Sequence, residues 1–167
     1  MTLLVLCRHL APDDDGADLA RRVAAYEPEA VYASPLARAL RTADAFGLPV
    51  QVDERLREID FGDVEGLGFD ELPKSLQQEL LTSPTTVRFP GGETYGELRH
   101  RVVEALGEIT ARHARVAVVS HAGAIRAALA SYLLMDESAL WRIDQRYGAL
   151  NVVELVEGVP LVRLLNG

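Results

Sequence analysis

Two short stretches of this chain, residues 2–7 (TLLVLC) and 115–120 (RVAVVS), are apolar almost without interruption instead of alternating with polar residues. A strand with one wet face alternates. A strand that is apolar on both sides must be covered on both faces, which is the situation inside a parallel sheet flanked by helices. Neither run approaches the roughly 20 apolar residues that a membrane helix needs. The first has no basic segment ahead of it and is followed at once by Arg8 and His9, so it reads as an internal strand and not as a signal peptide.

The segments around these runs fit the same architecture. Helical spacing covers 17–26 and 36–46, and short strands are expected at 30–33 and 49–52. Ser34 followed by Pro35 reads as an N-cap and a first helical position. Thr94 and Glu97 match a capping box, and Leu98, Val102, Ala105, Leu106 and Ile109 then recur at helical spacing, so 95–112 is an amphipathic helix. A helix is expected at 122–134, and strands at 150–156 and 159–165 form a hairpin at the sheet edge. The middle, 53–93, is rich in Gly and Pro around one helical segment near 74–82, and loop-rich regions of this kind often carry function. Strands alternating with helices predict an α/β protein, a three-layer α/β/α sandwich with a mostly parallel sheet. With no repeat or linker, 1–167 reads as a single domain.

Composition excludes several classes. Lys and Arg number 17 against 25 Asp and Glu, a formal net charge of −8. Such a surface repels nucleic acid and anionic lipid. The single Cys7 permits no internal disulfide and suits a reducing cytoplasm. One thiol, four scattered His, and no CxxC, HxH or HExxH pattern make a metal site unexpected.

Ligands of open α/β sheets bind beyond the carboxyl ends of the strands. Applied here, that rule brings Arg8 and His9 from the first strand to the same edge as Arg38, one turn past Ser34, and His121, which ends the strand at 115–120. Ala122 and Gly123 open a helix there, adding backbone N–H donors and a positive dipole end. A compact cationic pocket on an acidic protein invites a phosphate, which the planar fork of Arg grips bidentately.

These residues arrive in a recognisable set. Arg8-His9-Leu10 is similar to an Arg-His-Gly motif. Ser34, Leu36, Arg38, Ala39, Thr42 and Ala43 match a second motif in full. The segment Leu56 to Gly66, Pro90-Gly91-Gly92-Glu93-Thr94 and Ser120-His121-Ala122-Gly123 resemble three more. Together, in this order, they resemble the histidine phosphatase superfamily, which includes the cofactor-dependent phosphoglycerate mutases. The resemblance implies that His9 attacks phosphorus and becomes a phosphohistidine. For that it must be neutral, one ring nitrogen free and the other donating to a backbone carbonyl. The resemblance also implies that Arg8, Arg38, His121 and the backbone at Ala122 hold the phosphoryl oxygens. It makes Glu58 the general acid, with Glu93 as its rival, and requires no cofactor or metal.

Other residues have plainer expectations. Glu65 is structural, His100 and His113 face solvent, and Arg126 is at the surface. Trp141 and Tyr147 pack under or line the site, and Cys7 is buried and inert. The chain also departs from the pattern. Leu10 stands where Gly would let backbone approach phosphate, which is expected to tighten the pocket. No Asn precedes Asn151, so one phosphate contact is absent or replaced, and Asp13-Asp14-Asp15 stand either near the mouth or at a helix start. The expected activity is hydrolysis of a small phosphorylated metabolite by a monomer or homodimer. Phosphoglycerate mutase-type transfer and a non-catalytic phosphate- or phosphoprotein-binding role are the alternatives. Residues 148–155 and 164–166 resemble α-ribazole phosphatases.

Overall fold

A computed structural model describes residues 1–167, the side chains of residues 137 and 138 excepted. Six strands form one sheet: β1 (Thr2–Arg8), β2 (Ala30–Ala33), β3 (Val50–Val52), β4 (Arg115–Ser120), β5 (Leu150–Val156) and β6 (Val159–Leu164). Their order is β3-β2-β4-β1-β5-β6. Strands β3, β2, β4 and β1 run parallel, while β5 pairs antiparallel with β1 and β6 antiparallel with β5. The expected mostly parallel sheet and edge hairpin are therefore present.

The unbroken apolar run of β1 has a direct cause. Leu4 and Leu6 face one core, shared with Leu98 and Val102 of α4 (Tyr95–Arg112) and Ile125 and Leu129 of α5 (Ala122–Tyr132). Val5 and Cys7 face the opposite core, shared with Leu19 and Val23 of α1 (Ala17–Ala24) and Ala39 and Ala43 of α2 (Ala37–Asp44). Each large side chain so buried stabilises by roughly 1.5–3 kcal/mol, and a polar residue at either parity would forfeit that on one face. This is the three-layer sandwich. Burial also pushes the Cys7 thiol up to about 12, so it is a packing residue. Among the described residues no helix is long and apolar enough to cross a membrane.

Three local expectations change. Helix α2 starts at Ala37, with Leu36 at the cap position and no side-chain cap. Ser34 therefore does not cap the helix and Pro35 does not open it; the Ser34 hydroxyl accepts from Leu36 N–H at 3.3 Å and is otherwise committed to His121. Helix α5 stops at Tyr132, because Leu134 turns left-handed at φ 52°. His113 is not simply solvated: its Nε2 lies 3.1 Å from the Tyr32 hydroxyl.

The segment between β3 and α4 contains three 3-10 turns, at Glu54–Leu56, Gly62–Val64 and Phe69–Glu71, then α3 (Lys74–Thr82). It is tied down where two backbones cross. Asp63 N–H donates to Pro90 O at 2.7 Å, and Glu93 N–H donates to Asp60 O at 3.0 Å. The crossing leaves no space for side chains. A Cβ on Gly62 would meet Pro90 O at 2.2 Å, and one on Gly92 would meet Asp60 O at 2.2 Å. That contact is the physical content of the Pro90-Gly91-Gly92 motif.

Candidate active site

Three adjacent strands deliver the candidate residues to one edge. In the β1–β4 ladder Arg8 lies opposite Ser120. The ladder continues past the strand ends, with His9 N–H donating to Ser120 O and Ser34 N–H to Val119 O, each at 3.0 Å. His9, Ser34 and His121 thus leave β1, β2 and β4 side by side. The rings of His9 and His121 are 5.1 Å apart.

The hydrogen bonds of His9 define its tautomer. Its Nδ1 lies 2.9 Å from Leu10 O, a carbonyl that can only accept, so Nδ1 carries the proton. Its Nε2 receives the Arg38 Nε–H at 3.2 Å and therefore presents a lone pair. The donating nitrogen is as expected, but Nε2 is not free: in this structure its lone pair is occupied by the Arg38 N–H. Burial, then the Arg38, Arg8 and Arg41 charges, hold the imidazole below the usual histidine range against the pull of the Leu10 carbonyl.

His121 is fully buried. Burial is the main cause that holds its pKa down to about 3, with Arg38, His9 and Arg8 adding to it. Both histidines are consequently neutral at pH 7, and the positive charge of the pocket comes from Arg8 and Arg38 and not from the His pair. Arg8 donates through Nη1 to Gln145 O and lies under the Tyr147 ring, 4.0 Å from its centroid. That ring also stands 5.4 Å from the ring of His9, so Tyr147 does line the site. Two buried nitrogens have no partner among the described residues: Arg8 Nε and His121 Nδ1. The Ser34 hydroxyl lies 2.8 Å from His121 Nε2. A hydroxyl donating there leaves the ring proton on Nδ1, so both orphan atoms would be donors.

The two candidate carboxylates separate cleanly. Glu58 sits on the N-terminus of α5, accepting from Gly123 N–H at 3.1 Å and Ala124 N–H at 3.2 Å. A Cβ at Gly123 would meet Glu58 Oε1 at 2.4 Å, so glycine is what admits the carboxylate. Glu93 instead accepts from Asp60 N–H and forms a two-pronged ion pair with Arg101, at 3.0 and 2.7 Å. It braces the loop. Glu58 and Arg38 line a cavity of about 590 Å³ together with Arg57, Asp60 and Glu65, and the Glu93–Arg101 pair lines it too, so the difference between the two carboxylates lies in their partners.

Leu10 does not tighten the pocket. Its side chain turns into the core, below Gly16 and Gly148, where added Cβ atoms would meet it at 2.9 and 3.2 Å. Its N–H is taken by the Thr42 hydroxyl at 3.0 Å, and that hydroxyl donates to Arg38 O at 2.8 Å. One threonine thereby links the His9 turn to the helix that carries Arg38. Asn151 is no substitute phosphate ligand: it is buried in β5 and exchanges two amide hydrogen bonds with Gln145. Asp14 and Asp15 accept from Gly16 and Ala17 N–H at the start of α1, which is the helix-start reading. Arg126 donates to Ile143 O at 2.7 Å.

Arg101 was not evident from the motifs. Besides Glu93, it donates to the carbonyls of Arg55, Arg57 and Glu58 at 2.7, 2.8 and 2.9 Å. It therefore holds the strand of loop that bears Glu58. The available signal was spacing: Arg101 lies four residues after Glu97 on α4 and eight after Glu93, which precedes the helix. Among the described residues no cluster of His, Cys, Asp or Glu is arranged to hold a metal.

Comparison with known proteins gives the family and the fold. A sequence profile of the histidine phosphatase superfamily (branch 1) matches residues 15–167, a span that begins after the Arg8-His9 pair. Phosphoserine phosphatase 1 of Hydrogenobacter thermophilus is 30% identical over 157 residues, covering 89% of this chain and 74% of the relative. The structure of YhfR from Bacillus stearothermophilus is 28% identical, with a TM-score of 0.87 over 98% of this chain and 96% of that one. A mutant phosphoserine phosphatase from Entamoeba histolytica in complex with phosphoserine shares the fold at 22% identity, with a TM-score of 0.86 over 100% and 98% of the two chains.

Proposed function

The chain belongs to the histidine phosphatase superfamily, and from that premise we propose that it hydrolyses a small phosphomonoester through a covalent phosphohistidine on His9. Its relatives bear phosphatase names, which supports a phosphoric monoester hydrolase. The observation that supports a phosphoryl site is the pair of buried nitrogens without partners, Arg8 Nε and His121 Nδ1, with the rings of His9 and His121 5.1 Å apart. The covalent step rests on His9 carrying its proton on Nδ1, which leaves the Nε2 lone pair to attack once Arg38 turns to the phosphoryl oxygens. A buried donor left unpaired costs roughly 1–3 kcal/mol. A phosphoryl group would remove that cost at both atoms while its phosphorus met Nε2.

In the first step the Nε2 lone pair bonds to phosphorus as the P–O bond to the leaving alcohol breaks. The bonding pair departs on the alcohol oxygen, which takes a proton from Glu58. Arg8, Arg38, His121 and the backbone N–H of Ala122 hold the equatorial oxygens, where charge is greatest in the transition state. In the second step water attacks the same phosphorus and Glu58 takes its proton. The N–P bond breaks, the pair returns to Nε2, and inorganic phosphate leaves. Burial and the flanking arginines keep His9 in its nucleophilic neutral form at neutral pH.

The residues that resemble α-ribazole phosphatases fall largely in β5, where Leu150, Val152 and Val153 fill the two cores. They bear on the fold and not on the substrate.

The test is hydrolysis of p-nitrophenyl phosphate and phosphoserine from pH 5 to 8 in EDTA, for the native protein and His9→Ala. Turnover in EDTA that falls on the order of 10⁴-fold or more in the variant is expected, with acid-labile phosphate trapped on the native protein alone. Equal rates in both would overturn the nucleophile. Thermal stabilisation by vanadate without turnover would point to a binding role instead, and a requirement for a diphosphorylated sugar-acid primer would point to mutase chemistry.

A further inference from the structure

Beside the cavity lined by Arg38 and Glu58 opens a second one, of about 800 Å³, whose wall includes Phe61, Leu67, Phe69, Leu81 and Trp141. Leu81 is 74% exposed, and Leu67, Phe69 and Trp141 are each close to half exposed. Large apolar side chains gathered at one exposed place on a soluble protein usually serve binding. The volume lies within the range of about 300–1,000 Å³ typical of small-molecule sites, which are mainly apolar with few polar groups. A ladder of rings stiffens the floor: Phe61 to Phe89 at 5.0 Å, Phe89 to Tyr95 at 6.1 Å and Tyr95 to Trp141 at 5.0 Å, all edge to face.

The two cavities are neighbours with one lining residue in common. Glu65 lines both. Phe61 of the groove is flanked in sequence by Asp60 and Gly62 of the Glu58 cavity. Tyr95, in the groove, is near enough to Glu58 that the carboxylate adds to burial in raising its phenol. The groove thus lies next to the cavity that Glu58 lines, and a leaving group protonated by Glu58 must lie near that carboxylate.

We propose that this groove is the leaving-group subsite, and that the chain prefers monoesters of aromatic or long apolar alcohols over those of small polar ones. The proposal rests on the phosphomonoesterase reading above. Each methylene buried in such a groove is worth up to about fourfold in binding.

The experiment uses primary alkyl phosphates, whose leaving alcohols differ little in acidity: ethyl, butyl, hexyl and 3-phenylpropyl phosphate. The ratio kcat/KM should rise about two- to fourfold per methylene, carried mainly by KM. Phe69→Ala, on an exposed turn, should lower the hexyl-to-ethyl ratio about tenfold. A second readout needs no turnover. Trp141 is the only tryptophan of the chain, so titration with 3-phenylpropylphosphonate, which cannot be hydrolysed, should shift its emission at concentrations at least tenfold below those required of ethylphosphonate. Hydrolysis with a flat chain-length series and a silent Trp141 would overturn the subsite and leave the phosphatase reading intact. A Trp141 response without hydrolysis of any ester would sink that reading and the leaving-group assignment with it, leaving an apolar binding groove alone. A dimer whose dissociation exposes Trp141 would also overturn the proposal, because a second copy would then cover the groove.

Discussion

The burial of His121 makes a quantitative prediction about acid stability. Its imidazole titrates near 6.5 in an unfolded chain and at about 3 in the fold. The folded state therefore binds fewer protons than the unfolded state between those values, and stability falls as pH falls through that window. The full difference of about 3.5 units corresponds to about 5 kcal/mol, reached only below pH 3. At pH 5 the unfolded chain already gains RT ln(1 + 10^1.5), so about 2 kcal/mol is lost relative to neutral pH. Exposed carboxylates such as Glu97, which Arg88 and the Thr94 N–H hold down to about 2, lose their contribution below the unfolded value of 4.5 and so add little between pH 7 and pH 5. His9, also held low, adds in the same direction. The assay is urea unfolding at pH 7 and pH 5, followed by far-UV circular dichroism, for the native protein and His121→Gln. The variant starts less stable, but its loss between the two pH values should be smaller by about 2 kcal/mol. Equal losses in the two proteins, or an NMR titration of His121 with a midpoint near 6.5, would refute the argument.

Three further outcomes follow from the site. Glu58→Gln should slow phosphoserine hydrolysis by roughly 10²–10³-fold but p-nitrophenyl phosphate much less, since p-nitrophenolate leaves without a proton; steady-state rates on the two esters check this. Gly123→Ala places a methyl where Glu58 Oε1 now lies, 2.4 Å from the new carbon; it should reproduce the Glu58→Gln pattern of rates while thermal unfolding stays within about 1 kcal/mol of the native value. Gly92→Ala meets backbone and not a movable side chain; urea unfolding should show a loss of about 1–3 kcal/mol, together with lower activity as the Glu58 loop loosens.

The parts of this structure that were legible in the sequence are those with a short-range physical signature. The parity of burial in β1, the capping box at Thr94 and Glu97, and the rule that strand ends carry ligands all act within a few residues or one sheet edge. They placed Arg8, His9 and His121 together. Ser34 was misread because its local options, capping a helix or bonding a distant histidine, look identical along the chain; the choice is made by His121, 87 positions away. The Leu10 substitution looked obstructive because a motif records which residue stands at a position and not where its side chain goes. Arg101 escaped notice because three of its acceptors are main-chain carbonyls, which have no residue identity to read.

The proposed site divides into two halves with different constraints, one assigned to phosphorus and one to the leaving group. The half that meets phosphorus is built on strand ends, where ladder hydrogen bonds fix His9 and Ser34 and the Thr42 hydroxyl joins the His9 turn to α2. Its geometry cannot drift without disturbing the sheet. The half that meets the leaving group is built on the loops between β3 and α4, held by Arg101, by the Gly62–Gly92 crossing and by the Ser120 hydroxyl on Leu56 O at 2.7 Å. Those ties constrain Glu58 tightly but leave Leu67, Phe69 and Leu81 free to change, because they are exposed and Leu81 sits at 74%. Substitutions there should alter which ester is accepted and leave the chemistry at phosphorus unchanged. Substitutions at Arg101 should instead slow every ester whose alcohol needs the Glu58 proton, in proportion to the basicity of its leaving group. A graph of log kcat/KM against leaving-group pKa separates the two: groove variants scatter about the native line, while Arg101→Gln steepens it. An Arg101→Gln line parallel to the native one would mean that the loop holds Glu58 without it.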